Sequence, residues 1–141
     1  MLRMNWLAWA LLSAVFAALT AILAKVGVAN INPNLATAIR TTVILVFTWG
    51  IAYFTSSKAD WSGIDPRAWL FLVASGLATG LSWLCYFRAL KLGDVAKVAP
   101  VDKLSVAIAI ILAVTLLGEK IRVHEAIGAG LIVLGVIVMV I

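Results

Sequence analysis

Apolar positions in this chain fall in long unbroken runs, not in the period-two or one-face patterns of a domain that keeps one side in water. Five runs stand out, over 6–24, 35–54, 67–90, 94–117 and 123–141. At about 1.5 Å per residue, a helix of roughly 20 residues covers a hydrocarbon core of about 30 Å. Every backbone N–H and C=O inside lipid has to be paired within its own segment, so the runs read as helices. The expected fold is an all-α membrane protein with five transmembrane helices in a single domain over 1–141, with no linker long enough to hold a soluble domain. Polar punctuation sets the boundaries. Lys25 closes the first run, and Ala29-Asn30-Ile31-Asn32-Pro33-Asn34 reads as a turn. The longest polar connection runs over 55–66, with Asp60, Ser62, Gly63 and Asp65. Lys91-Leu92-Gly93 supplies a basic last turn and a C′ glycine to the third helix, and Asp94 is a suitable N-cap for the fourth. Gly118 to Arg122 makes a tight charged turn before the fifth. Five is an odd number, so the termini should lie on opposite faces, and a unit this small looks like one half of something.

Composition agrees. The chain is 65% hydrophobic and 12% charged with a mean hydropathy of +1.15, where a soluble domain is about half apolar and a quarter charged. The net charge of +5 would suggest nucleic acid in a soluble protein, but here the basic residues cluster at the ends of apolar runs, where they anchor helices at head groups. Trp6, Trp9, Trp49, Tyr53, Trp61 and Trp69 lie near one set of helix ends as an aromatic belt. Arg3 followed by an apolar run resembles a signal peptide, but the run exceeds the ~7–15 residues of a signal core and no cleavage site stands out, so it is kept as the first helix. The single cysteine, Cys85, excludes an intramolecular disulfide and reads as a small core residue. Arg3, Lys58, Arg67, Lys120 and Arg122 fall on one face, and Lys25, Arg88, Lys91 and Lys97 on the other, with Arg40 and Lys103 deeper on that second side. With almost no excess on either face, the basic residues leave orientation open. The chain can insert both ways and pair with an inverted copy, or insert one way and pair in parallel; balanced charge on five helices favours the inverted pair.

Charges placed deep in a span cost a few kcal/mol and usually pair or face a cavity. Snorkelling to head groups accounts for Lys25, Arg88, Lys91 and Lys97. It accounts less well for Arg40, about five residues into the second helix, or for Asp102, which with Lys103 lies about eight residues into the fourth. Pro100 has no N–H and crowds the carbonyl of Ala96, so the fourth helix should kink or start irregularly there. A freed carbonyl beside Asp102 and Lys103 has the composition of a binding site in a broken transporter helix, although a plain kink explains the proline equally well. Ser75, Thr79, Ser82 and Tyr86 form a polar stripe on the third helix, with Gly76 and Gly80 as a small-residue pair and Trp83 in their row. Ser13, Ala17, Thr20 and Ala24 repeat the spacing on the first helix. Both faces can be packing seams or the wall of a cavity. The fifth helix is apolar after Glu125, and its Gly128 and Gly135 share a face suited to a dimer contact. There is no phosphate-binding G-x-x-x-x-G-K-[ST] loop. His124 has no second histidine, and no Ser or Cys in a span has a histidine base near it in sequence. These absences argue against ATP-driven work, a metal site, a cofactor or an enzyme.

Several stretches together carry a resemblance: Ala24-Lys25-Val26-Gly27, Ala38-Ile39-Arg40-Thr41, Tyr86-Phe87-Arg88-Ala89-Leu90-Lys91-Leu92-Gly93, Val98-Ala99-Pro100-Val101, Leu117-Gly118-Glu119-Lys120-Ile121 and Gly128-Ala129-Gly130-Leu131-Ile132. In order and spacing the chain resembles the EamA-type branch of the drug/metabolite transporter superfamily, in its five-helix single-repeat bacterial/archaeal form. The resemblance implies a multi-pass protein of the prokaryotic cytoplasmic membrane. Two repeats of opposite orientation form a ten-helix transporter in that superfamily, so a single repeat is expected to work as a homodimer. Four-helix relatives that export cationic drugs keep a carboxylate in the middle of the first helix; here only Ser13 and Thr20 stand there, which argues against a lipophilic-cation antiporter. The leading reading is a secondary transporter of a small anionic or zwitterionic, amino-acid-like solute. Arg40, Lys103 and Lys25 would meet negative groups, Ser82, Trp83 and Tyr86 would complete the wall, Asp102 would couple transport to protons, and Pro100 would act as hinge. The alternative is a non-transporting membrane subunit or scaffold, or a lipid-moving protein.

Overall fold

The computed structural model describes residues 6–57, 60 and 63–141; Arg3, Lys58, Trp61 and Ser62 lie outside the described residues. The chain forms α1 (Trp6–Val28), α2 (Pro33–Thr55), α3 (Pro66–Leu92), α4 (Val95–Asp102), α5 (Leu104–Leu116) and α6 (Val123–Val140). α4 and α5 together make one apolar stretch, Val95–Leu116, so among the described residues five segments are long and apolar enough to cross a membrane. Among the described residues there is no strand.

The expected boundaries shift at several places. α1 continues three residues past Lys25, to Val28; lysine is a good helix former, and a cation suits the last turn of a helix. α2 begins at Pro33, two residues before the expected start. Asn32 is its N-cap, its side chain accepting from the Asn34 N–H at 2.8 Å, and Pro33 fits the first helical turn because its missing N–H is not needed there. α3 runs from Pro66 to Leu92, one residue longer at its start and two at its end. Asp94 takes the N-cap position of α4 with extended backbone, but its side chain makes no capping bond; its carbonyl accepts from the Lys97 and Val98 amides at 3.0 and 2.9 Å. Pro100 lies inside α4, and the interruption falls one turn later, at Lys103. There the ladder tightens to three-residue spacing, with Lys103 N–H on Pro100 O at 2.9 Å and Val106 N–H on Lys103 O at 3.0 Å. Threonines in α2 satisfy their own hydroxyls: Thr37, Thr41, Thr42, Thr48 and Thr55 each donate to the carbonyl four residues back. A hydroxyl paired this way can face lipid without an unsatisfied donor.

The chain divides into two compact units. One joins the described part of residues 1–22 to Leu92–Ile141. In it α4 and α5 both pack on α6, and Val136 is buried. The turn from α5 to α6 passes through Gly118, whose φ of 66° is the left-handed conformation that glycine adopts without Cβ strain. Glu125 accepts the Arg122 N–H at 2.8 Å and so caps α6 from within its first turn.

The other unit is Leu23–Lys91. Among its described residues, Ala24, Val28, Ala36, Thr37, Phe87 and Leu90 are buried. All belong to the end of α1, the start of α2 or the end of α3, so the packing of this unit is concentrated where those three ends meet. Elsewhere its helices are apolar and exposed, as at Val46, Phe47, Leu70, Leu77 and Leu81. Helices apolar on every side suit lipid or another protein chain, not water.

Candidate functional site

Within Leu23–Lys91, α2 and α3 bring together three of the residues expected to bind solute. Arg40 stands about two turns into α2. Trp83 and Phe87, four residues apart, share a face of α3. The Arg40 guanidinium carbon lies 4.2 Å from the centroid of the Trp83 ring and 5.6 Å from that of Phe87. Tyr86 is within electrostatic reach of the same guanidinium. Arg40, Trp83 and Tyr86 are half-buried, while Phe87 is only 3% exposed. A cation over an aromatic face gains about 0.5–1 kcal/mol when exposed and about 2 kcal/mol when desolvated. The indole thus supports the charge about two turns into an apolar helix. A guanidinium over an aromatic ring remains a planar fork of N–H donors, the geometry that binds carboxylates bidentately. Ser82 precedes Trp83 and is exposed. Thr79, in the same polar stripe, turns its hydroxyl to the Ser75 carbonyl at 2.9 Å.

Two lysines of this unit reach across the chain to backbone. Lys25 Nζ donates to Leu90 O at 2.7 Å, and Lys91 Nζ donates to Ile31 O at 2.7 Å. Leu90 O is one of the last four carbonyls of α3, which have no partner in the helix and carry the negative end of its dipole. An ammonium there is well matched. Lys25, expected to meet a solute's negative group, is bound to Leu90 in this conformation.

Asp102 and Lys103 belong to the other unit, at the junction of α4 and α5. Asp102 Oδ2 and Lys103 Nζ lie 3.2 Å apart, with side chains 37% and 55% exposed. A pair between adjacent, exposed residues contributes little, and it leaves capacity on both groups, a second carboxylate oxygen and two more ammonium protons. Pro100 precedes them in α4. On α6, a Cβ added at Gly128 or Gly135 would meet nothing within 4 Å, and the same holds for Gly76 and Gly80 on α3. Packing within the chain does not require these glycines. A shallow cavity of about 270 Å³ opens between the end of α5 and the start of α6, lined by Ile110, Val114, Glu119, Lys120 and Glu125 among others. None of the expected site residues borders it.

Sequence reasoning missed Phe87 and the Leu90 carbonyl. The four-residue spacing of Trp83 and Phe87 was the available signal for the first; a backbone acceptor leaves none.

The EamA-like transporter family matches residues 4–141, nearly the whole chain. The chain belongs to the EamA-like transporter family. A protein of Sinorhizobium sp named "Uncharacterized transporter in cobO 3'region" is 54% identical to this EamA chain over 135 residues, covering 96% of each. A second, "Uncharacterized transporter YxxF" of Bacillus subtilis (strain 168), is 27% identical over 128 residues, which cover 90% of this chain but 40% of that relative. No solved structure matches. With five spans and this family, the EamA protein is a multi-pass integral membrane transporter, and its bacterial relatives point to the cytoplasmic membrane.

Proposed function

We propose that this transporter is a secondary carrier of small anionic or zwitterionic, amino-acid-like metabolites, and that it works as a homodimer of inverted copies, each contributing one five-helix repeat. The observation that carries the solute class is Arg40, a permanent cation inside a span, held on the face of Trp83 at 4.2 Å. Its N–H donors would take a solute carboxylate, with Ser82, Trp83 and Tyr86 as wall and Lys103 and Lys25 as further cations. Asp102, beside the α4–α5 break, would accept the coupling proton, with Pro100 upstream as hinge. The chain spans less than half of the Bacillus relative, which supports a second repeat being needed. The near balance of Lys and Arg between faces supports opposite insertion. Gly128 and Gly135 would form the dimer seam. The family match supports reading the protein as a carrier.

Counterflow in reconstituted vesicles, run with a panel of radiolabelled amino acids and organic acids, tests this. Arg40→Ala and Asp102→Asn should abolish uptake while the dimer persists on size exclusion; unchanged uptake refutes the site. A C-terminal reporter should appear on both membrane faces, and appearance on one face alone refutes the inverted pair.

A further inference from the structure

We infer that the end of the Leu23–Lys91 unit where α1, α2 and α3 meet is an access gate, closed in this conformation and held by two lysine clasps. The inference rests on the solute site proposed at Arg40. Three observations carry it, all within the one unit.

The first is the order of groups along α3. Trp83 and Phe87 hold the Arg40 guanidinium. One turn further on, Leu90 is fully buried, as is Val28 at the end of α1. Phe87, Leu90 and Val28, with Ala24, Ala36 and Thr37, are buried, and we take them as a largely apolar plug between the level of Arg40 and the connection over 29–32.

The second is the placement of the clasps. Lys25 ties the last turn of α1 to the last turn of α3 through Leu90 O, and Lys91 ties α3 to the α1–α2 connection through Ile31 O, each at 2.7 Å. Together they join all three segments around the plug, across 65 and 60 residues of sequence.

The third is what the clasps are made of. Each sets an ammonium, at the end of a flexible four-carbon stem, on a backbone carbonyl. Such a bond can be released without leaving a buried charge, because the ammonium can exchange the carbonyl for water, a head group or a solute anion at that face. A plug made only of apolar side chains and one self-satisfied threonine, Thr37 on Pro33 O at 2.9 Å, likewise opens without orphaning a polar group. The end is therefore built to part: largely apolar where it is closed, and tied across its three segments by exchangeable bonds.

Thiol accessibility tests this without any solute. Thr37 is 5% exposed and sits in the plug, one turn from Arg40. A Thr37→Cys reporter in a Cys85→Ser background, reconstituted in nanodiscs so that both faces meet reagent, is treated with a charged, membrane-impermeant maleimide. Asn34→Cys, exposed at the start of α2, is the reference. With the clasps intact, Thr37→Cys should label far more slowly than Asn34→Cys. Lys25→Met with Lys91→Met should raise the Thr37→Cys rate by about tenfold or more, the change expected on losing charge-assisted hydrogen bonds, and leave Asn34→Cys unchanged. Lys25→Arg with Lys91→Arg, which keeps both donors, should restore protection; this arm separates loss of the clasp from general loosening. Fast labelling of Thr37→Cys with the clasps intact overturns the gate, as does a rate indifferent to both pairs of substitutions, or a failure of the arginines to restore protection. If the carrier reading fails in the flux assays, the labelling result still stands or falls alone.

Discussion

Replacing Trp83 should expose how much of Arg40's placement depends on one ring. The contact distance of 4.2 Å is well inside the ~6 Å range of a cation–π interaction, while 5.6 Å to Phe87 is near its limit. Arg40 is half-buried, so the Trp83 contact should contribute between the exposed and desolvated values, about 1–2 kcal/mol, and the Phe87 contact less, about 0.5 kcal/mol. A double-mutant cycle of Arg40→Met and Trp83→Leu isolates the interaction from the area each side chain buries. Reversible unfolding by SDS titration in mixed micelles supplies the four free energies. The expected coupling is about 1–2 kcal/mol for Arg40 with Trp83, and Trp83→Phe should retain roughly half of it because a smaller aromatic face remains. The solute-binding side has its own magnitude: an Arg40 no longer held should weaken carboxylate binding by about fivefold to thirtyfold, at about 1.4 kcal/mol per tenfold. Coupling below about 0.3 kcal/mol, within the scatter of additive sites, or a larger coupling to Phe87 than to Trp83, would refute the reasoning.

Three further outcomes are expected. Pro100→Ala returns an N–H to α4 and should slow amide exchange at Asp102 to Val106 several-fold by hydrogen-exchange mass spectrometry; unchanged exchange would mean the break at Lys103 does not depend on the proline. Gly128→Leu and Gly135→Leu meet open space within the chain, so thermal stability of the monomer in detergent should hold while cross-linked dimer falls; a destabilised monomer with intact dimer would remove the glycines from the seam. In the α2–α3 connection the Ser57 N–H and hydroxyl donate to Asp60 at 2.7 and 2.8 Å and hold its carboxyl below the usual aspartate range. A folded value below the unfolded one favours the native connection above the ordinary carboxylate range, and the effect fades as pH falls through the lowered value. Ser57→Ala should move the Asp60 titration up by NMR, and an unmoved titration would assign the shift elsewhere.

Sequence alone determined the element type, the number of spans and their approximate ends. Hydrocarbon thickness sets a length, and lipid forbids unpaired backbone, so a run of about 20 apolar residues has few alternatives to a helix. It also placed Arg40 and Asp102 as charges needing a partner or a cavity, because depth along a helix is a count of residues. Hydropathy is silent on azimuth, on which face of α3 turns toward α2, and that decided the outcome at Arg40: Trp83 and Phe87 receive the guanidinium across more than forty residues of chain. It decided Lys25 and Lys91 as well. Both read as snorkelling lysines from sequence, and both end on backbone carbonyls that carry no sequence mark. The tertiary structure chose those partners because backbone carbonyls left without a partner, at the end of α3 for Leu90 and in the α1–α2 connection for Ile31, still need a donor, and an ammonium brought near by the fold supplies it.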